Sequence, residues 1–120
     1  IATRRGVENL KQSLYIRLIT PLGSYLGHPN YGSKVHMYLG KKNTEENATL
    51  LDIEIERTLK TDGRVTNVKN NGHIIQGNTY TASFDVYAIS LEQAFQFVVS
   101  SSNAGPLVLL DNFNNDLLNN

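Results

Sequence analysis

Apolar residues recur with a helical period in the first half of the chain. In residues 6–19, one face of a predicted helix carries Val7, Leu10, Leu14 and Leu18. In residues 44–60, one face of another carries Ala48, Leu51, Ile55 and Leu59. A spacing of about three to four residues is typical of a helix that buries a single stripe. A shorter helix is predicted between these two, beginning at Ser33 and ending at Gly40.

In the second half of the chain, apolar and polar residues alternate, which predicts strands. Residues 64–69 and 73–76 are predicted as two short strands joined by a tight turn at residues 70–72. The clearest strand is predicted over residues 79–91, and its length indicates a bulge or a projecting end. Another strand is predicted over residues 93–99. The predicted fold is therefore α+β, with about three helices packed on a small, mostly antiparallel sheet.

The end of the chain has a different composition. Residues 100–106 are rich in serine and include Asn, Gly and Pro, which is typical of a linker. We therefore predict a single α+β domain over residues 1–99, followed by a linker and a C-terminal arm over residues 100–120. An apolar cluster in the arm would dock on a partner or on a neighbouring part of its own fold, and it includes Leu107, Leu109 and Leu110.

A dense run of turn-forming residues, 20–32, follows the first predicted helix, and we call it the corner. Its prolines fix φ and disfavour helical dihedrals in the residues before them, whereas its glycines can adopt positive φ. Large apolar side chains are interleaved with these residues, so we expect the corner to pack onto the domain. The residues that shape it are Thr20, Pro21, Gly23, Pro29, Tyr31 and Gly32.

Composition argues against several classes of partner. Among 120 residues the chain has 11 basic and 11 acidic ones, and zero net charge argues against binding to nucleic acid or to an anionic membrane. Its apolar runs are far shorter than the roughly 18 residues that a membrane span requires. The chain contains no cysteine, so disulfides, thiolate catalysis and cysteine-ligated zinc are excluded.

The sequence offers little material for catalysis. A glycan hydrolase requires two acids across a cleft, and the candidates are Glu54 or Glu56 with a distant acid such as Asp85. The two glutamates lie on one predicted helix, where local ion pairs on a solvated face are the more common interpretation. The three histidines are not spaced as metal ligands. We therefore predict no catalytic residues, no metal and no cofactor. The alternative is that the protein is a small, lysozyme-like peptidoglycan hydrolase.

The order of these motifs resembles a known family. The chain has a first helix that ends in a Thr-x-x-Gly corner, then an aromatic-Gly pair and, after a long helix, an acid-x-Arg turn. This order of motifs resembles that of the small baseplate wedge protein of contractile phage tails. This is the sheath-initiator family, which includes the E component of type VI secretion baseplates. The matching residues are Thr20, Gly23, Tyr31, Gly32, Asp62, Gly63 and Arg64. Many members have Glu-Pro-Arg at the last motif, and here glycine replaces the proline.

The resemblance implies a structural role rather than an enzymatic one. Family members attach to the helical core bundle of the wedge, which implies partner binding by Asp62, Gly63 and Arg64. Sheath initiators also resemble the inner domain of the sheath subunit, and they present a sheet edge to which strands of the first sheath ring add. The surface expected to serve this strand augmentation comprises Ile74, Thr79, Thr81, Ser83, Asp85 and Tyr87.

The resemblance also implies a location. The protein would be assembled in the host cytoplasm and would reside in the virion, in the baseplate of the phage tail, in six copies. Its expected partners are the sheath protein and the wedge core-bundle proteins, with the tube or the spike and hub proteins as further candidates. Leu107, Leu109 and Leu110 are predicted to grip a neighbouring baseplate protein.

Overall fold

A computed structural model describes residues 3–110, and the part of the predicted arm from residue 111 onward lies outside the described residues. Two α-helices, α1 (Arg4–Ile19) and α2 (Glu45–Leu59), pack on one face of a four-stranded antiparallel sheet. The predicted α+β class is confirmed. No helix in residues 3–110 has the length and apolar character needed to cross a membrane.

The sheet is a meander in which strand order follows chain order. Its strands are β1 (Val65–Gln76), β2 (Thr79–Ala88), β3 (Phe95–Ser102) and β4 (Val108–Leu110). Each strand pairs antiparallel with the next. β2 is therefore paired on both sides, whereas β1 and β4 form the two edges of the sheet within residues 3–110.

Alternation along the strands decides which side chains enter the core. In β2, every second residue from Tyr80 to Ala88 is buried beneath the helices, and the intervening residues lie on the opposite face, which we call the outer face. Full burial of one large apolar side chain contributes about 1.5–3 kcal/mol relative to exposure. The largest fully buried apolar residues include Leu10, Leu14, Leu18, Ile55, Leu59, Phe84 and Phe97.

The two helices cover different strands. The hydroxyl of Tyr15 in α1 donates to the carbonyl of Leu107 at 2.8 Å, which holds α1 beside the approach to β4. Asp52 in α2 accepts a hydrogen bond from the Tyr80 hydroxyl of β2 and contacts His73 of β1, so α2 lies over the first two strands. Both helices begin at threonine caps, Thr3 and Thr44, whose hydroxyls accept backbone N–H donors.

The short helix predicted between Ser33 and Gly40 is wrong in length. Val35–Met37 form a single 3-10 turn rather than an α-helix. Ser33, predicted as a helix cap, donates its hydroxyl to the Leu18 carbonyl at 2.6 Å and so ties this segment to α1. Gly40 has a positive φ and ends the segment. A segment this short forms too few backbone hydrogen bonds to offset the unfavourable free energy of nucleating an α-helix.

The predicted turn at residues 70–72 is also wrong. β1 continues through it as one strand, with a register shift between Asn70 and His73. The Asn70 side chain accepts the Gly72 N–H at 2.7 Å, and Gly72 has φ +92°, so the one extra residue on β1 forms a β-bulge. β2 pairs with β1 on both sides of this bulge, and the real turn of the hairpin lies at Gly77 and Asn78.

The C-terminal part of the sheet also differs from prediction. β2 ends at Ala88 rather than at residue 91. Ser90, two residues beyond this end, adopts φ +71°. β3 runs through the serines that were predicted to begin a linker, and Ser100 and Ser101 are buried. These serines pair with Thr81 and Tyr80, so tertiary pairing overrides a local composition that favours a linker. The sheet therefore extends past residue 99.

The corner is fixed at its base and projects at its tip. Pro21 and Ser33 form a parallel bridge, in which Leu22 N–H donates to the Ser33 carbonyl at 2.9 Å. Toward the tip, Tyr25 is 54% exposed and Leu26 is 94% exposed. The expected packing onto the domain is thus confirmed for the base and wrong for the tip, because the backbone bonds that close the base leave the tip without a surface beneath it.

Gly32 is the position where the corner tolerates no side chain. It has φ +113°, and a Cβ there would overlap the Thr20 carbonyl oxygen and lie 3.0 Å from the Pro21 backbone. We expect Gly32→Ala to lower the free energy of unfolding, measured in urea, by at least about 3 kcal/mol. Gly27→Ala is the matched control, because Gly27 has φ +81° with no atom within 4 Å of its Cβ. Its expected loss is about 1–2 kcal/mol, and equal losses would contradict the clash.

Candidate functional site

The corner and the connection between α2 and β1 meet at Arg17 of α1. The Arg17 guanidinium lies over the Tyr31 ring, 4.5 Å from its centroid, and its Nη2 is 3.7 Å from Asp62 Oδ2. A guanidinium on an aromatic face is attracted by the ring quadrupole. The motifs at residues 31–32 and 62–64, which are far apart in sequence, thus contact the same arginine.

Asp62 organises the turn that we call the Asp62 turn, residues 62–64. Its carboxylate is buried, and it accepts the Arg64 backbone N–H at 2.9 Å and the Arg64 guanidinium at 3.0 and 2.8 Å. The Arg64 hydrogen bonds hold the pKa of Asp62 below its usual range, although burial opposes them. The carboxylate is therefore charged at neutral pH, and the fork fixes the direction of the Arg64 side chain.

Arg64 keeps donors for a second acceptor. Its side chain is 47% exposed, and Asp62 engages only its Nε and one Nη2 position. A guanidinium has five N–H donors, so the exposed edge can meet a carboxylate or a carbonyl oxygen. A Cβ at Gly63 would meet no atom within 4 Å, so the space around the turn does not require glycine.

A groove of about 420 Å³ separates the corner from the end of α2. Within the corner, Tyr25 stacks on His28 with centroids 4.7 Å apart and meets Tyr31 edge-on at 5.3 Å. His28 and Tyr31 of this cluster line the groove, and so does the cationic Arg17. The groove is lined by Arg17, Gly27, His28, Pro29, Asn30, Tyr31 and Thr61. The Arg17 guanidinium in this groove suits a partner segment that presents an acidic or carbonyl oxygen.

A second polar cluster joins α2 to β1, and no local sequence pattern indicated it. His73 Nδ1 is 2.6 Å from Asp52 Oδ2, and its Nε2 is 2.7 Å from Glu45 Oε2. The Tyr80 hydroxyl donates to the other Asp52 oxygen. Burial and the bond to Asp52 raise the pKa of Tyr80, which therefore remains a neutral donor. Desolvation alone would lower the pKa of His73, but the two carboxylates outweigh it and raise that pKa.

The acids of the hydrolase alternative do not face one another. Glu54 accepts the Arg57 guanidinium at 2.9 and 2.6 Å and the Lys34 backbone N–H at 2.7 Å. The Arg57 hydrogen bonds lower the pKa of Glu54, whereas a general acid requires a raised one. Glu56 pairs with Lys60 at 2.8 Å. Asp85 lies on the outer face, so the sheet stands between it and the helical glutamates.

The residues predicted for strand augmentation share the outer face. Ile74 is 64% exposed and pairs with Thr81, and Tyr87 is 40% exposed. Because β2 is paired on both sides, the residues of β2 offer their side chains but not their backbone to an added strand. The members of this set on β2 are Thr79, Thr81, Ser83, Asp85 and Tyr87.

The leucines of the predicted arm lie against this chain's own fold. Leu107 is 1% exposed within the core, and Leu109 packs against the core. Leu110 pairs with Val98 on β3. The sequence alone left open whether the apolar cluster docks on a partner or on its own fold. In the described residues it docks on its own fold.

A family model described as contractile injection system sheath initiator matches residues 1–91. The match covers both helices, the corner, the Asp62 turn, β1 and β2. The chain belongs to the sheath-initiator family of contractile injection systems. This family is structural and is not a known enzyme family. No curated protein matches this sheath initiator.

The sheath initiator's Arg17 and His73 were not anticipated as site residues. Arg17 is a single basic residue near the end of an amphipathic helix, and His73 was assigned to a separate short strand after a turn that does not form. Both gain their roles from acids supplied by other elements. The family resemblance identified the corner and the Asp62 turn, but it gave no indication that one arginine joins them.

Stability is expected to fall as pH rises from 6 to 9. A folded-state pKa above the unfolded value near 6.5 means that His73 stabilises fully below about pH 6.5 and loses this contribution as pH rises through the folded pKa. The free energy of unfolding measured across this range should decline in the wild type. His73→Gln should flatten the decline, and an unchanged slope in that variant would contradict the assignment.

Proposed function

We propose that this sheath initiator is a structural subunit of a phage tail baseplate, which attaches to the wedge core bundle and starts sheath assembly by β-strand augmentation. The observation that carries the proposal is the family match over residues 1–91, which contains the corner and the Asp62 turn. The lysozyme-like alternative has no support from the geometry, since its acids lie on opposite sides of the sheet.

Attachment to the wedge would use the exposed edge of Arg64. The intramolecular fork with Asp62 orients the guanidinium before any partner arrives, so little side-chain freedom is lost on binding. The neighbouring groove beside Arg17 and Tyr31 offers a second contact on the same side of the molecule. A helix C-terminus or an acidic side chain of the bundle fits this pair of cationic positions.

Sheath initiation would use the sheet. An incoming strand from a sheath subunit needs an edge with unpaired backbone groups, and the outer-face side chains around Ile74, Thr81 and Tyr87 would contact the body of that subunit. The wedge contact lies at the helix ends, so both partners could bind at once. We further propose six copies around the tube or spike of the virion, after assembly in the host cytoplasm.

Replacing Arg64 should separate wedge binding from folding. We expect Arg64→Ala to weaken binding to purified wedge core-bundle proteins by at least about tenfold, measured by calorimetry, because an arginine anchor is lost. Arg64→Lys should recover only part of this affinity, since an ammonium cannot form the fork.

Lys60→Ala is the matched control for Arg64→Ala. Lys60 lies just beyond α2 and pairs only with Glu56 among the described residues, so its removal deletes one nearby charge outside the turn. Circular dichroism and urea titration should show that each variant is folded. Equal affinities for Arg64→Ala and Lys60→Ala would contradict attachment through the turn.

Two exposed isoleucines test the sheath surface. Ile74 on the outer face is 64% exposed, and Ile53 on α2 is 57% exposed. We expect Ile74→Lys to weaken association with sheath subunits, measured by size-exclusion chromatography and light scattering, by about tenfold, because a buried apolar contact becomes a buried charge. Ile53→Lys should leave association unchanged. The reverse result would place the sheath contact on the helical side.

A further inference from the structure

The Arg17 side chain of α1 is largely buried, yet its guanidinium has few partners in its own chain. The side chain is 22% exposed, and its Nε is buried with no hydrogen-bond acceptor within residues 3–110. The 3.7 Å between its Nη2 and Asp62 Oδ2 is an ion-pair distance that is too long for a hydrogen bond. Taking a charged donor out of water without an acceptor costs free energy. An acceptor from another molecule would therefore be stabilised at the exposed part of this guanidinium.

Three charged side chains meet beside the corner, and two of them are positive. The guanidiniums of Arg17 and Arg64 both contact Oδ2 of Asp62, at 3.7 and 2.8 Å, and Arg64 also donates to the other carboxylate oxygen. Among the described residues, no aspartate or glutamate lines the groove that contains Arg17, which we call the Arg17 groove. This groove is therefore complementary to an anionic side chain, because the one acid that its own chain supplies is already shared.

A second groove, of about 350 Å³, adjoins the first at Tyr31, and we call it the Tyr25 groove. The hydroxyls of Thr20 and Ser24 in its wall already donate to backbone carbonyls, at 2.6 and 2.7 Å. What remains is mainly aromatic and aliphatic surface, since Ile16 is 50% exposed and Tyr25 is 54% exposed. The groove therefore suits an apolar side chain. It is lined by Ile16, Thr20, Ser24, Tyr25 and Tyr31.

Tyr31 joins the two grooves. The Arg17 guanidinium lies over its ring at 4.5 Å from the centroid, and the Tyr25 ring meets it edge-on at 5.3 Å. Ile16 and Arg17 are consecutive in α1, so one turn of this helix supplies a side chain to each groove. A partner segment that crosses this flank of the corner would meet a cationic groove and an apolar groove side by side.

We propose that these two grooves form one docking site for a segment of the wedge core bundle that carries an acidic and an apolar side chain on the same face. The acid binds the Arg17 guanidinium, and the apolar side chain enters the Tyr25 groove. The proposal rests on the proposed function and names the chemistry of the partner segment. The site is continuous with the proposed Arg64 contact, because both guanidiniums share Asp62. It makes Arg17 and Ile16 anchors of wedge binding.

Removing the guanidinium tests the acidic half of the site. Arg17→Met keeps an unbranched stem beside Tyr31 but has no N–H donor. We expect it to weaken binding to purified wedge core-bundle proteins by at least about tenfold, measured by calorimetry. Arg5→Met is the matched control, because Arg5 is an exposed arginine in the first turn of the same helix. This control should bind like the wild type.

The salt dependence of binding identifies the charge of the ligand. A carboxylate opposite Arg17 makes the wild-type affinity fall as the NaCl concentration rises from about 50 to about 500 mM, because salt screens the pair. Arg17→Met should show a smaller fall over the same range, whereas Arg5→Met should match the wild type. An equal fall in the wild type and Arg17→Met would overturn the acidic ligand.

Replacing Ile16 tests the apolar half without touching the Asp62 network, so the site stays testable if Arg17→Met does not fold. Ile16 is 50% exposed and Ile53 of α2 is 57% exposed, so neither replacement empties the core. We expect Ile16→Ser to weaken wedge binding by about fivefold, because an apolar contact is lost. Ile53→Ser should leave wedge binding unchanged. Equal affinities of these two variants would overturn the Tyr25 groove as part of the site.

The variants separate this site from the proposed function. Circular dichroism and urea titration should first show that each variant is folded. If Arg64→Ala weakens binding while Arg17→Met and Ile16→Ser bind like the wild type, the docking site is overturned and attachment through the Asp62 turn stands. A loss in Arg5→Met equal to that in Arg17→Met would also overturn the site, because overall charge would explain it. Failure of the wild type to bind wedge proteins would overturn the proposed function, and the site with it.

Discussion

The buried carboxylate of Asp62 is the point on which the helical end of the molecule depends. It satisfies the Arg64 backbone and guanidinium and lies within 3.7 Å of Arg17, so one acid fixes the exit from α2, the entry into β1 and the position of α1. Arg17 in turn holds the Tyr31 ring of the corner. A charge buried in this way is stable only when paired, and therefore these segments cannot shift independently.

β2 has the corresponding role in the sheet. Its helix-facing residues form the centre of the core, and the hydroxyl of Tyr80 donates a hydrogen bond to Asp52 of α2. Because β2 is interior, any strand that joins the sheet must do so at another strand. In the proposed function this separates two tasks. The helical end would hold the wedge, an edge of the sheet would accept the sheath strand, and β2 would keep a fixed distance between them.

Local rules predicted the parts of the fold that depend on local spacing. The two long helices and the alternation of β2 follow from periodicity. The errors lie where a distant partner decides. Residues 70–72 favour a turn alone but form a bulge because β2 pairs on both sides of them, and Ser100 and Ser101 favour a linker but are buried in β3.

The same division applies to the site. The family resemblance indicated the corner and the Asp62 turn, and both lie in the matched residues. Arg17 and His73 could not be found in this way, because an arginine or a histidine carries no local signal for an acid supplied by a different element. The contacts that link the motifs exist only once α1, α2 and β1 are packed.

The meander topology sets an order of formation. Each strand pairs with the one that precedes it in the chain, so every ladder can form as soon as its second strand is available. During synthesis, the residues of β1 and β2 emerge before those of β3 and β4, so the first ladder can close before the rest of the sheet is added. The sheet can therefore grow in one direction, from the β1–β2 ladder outward to β4.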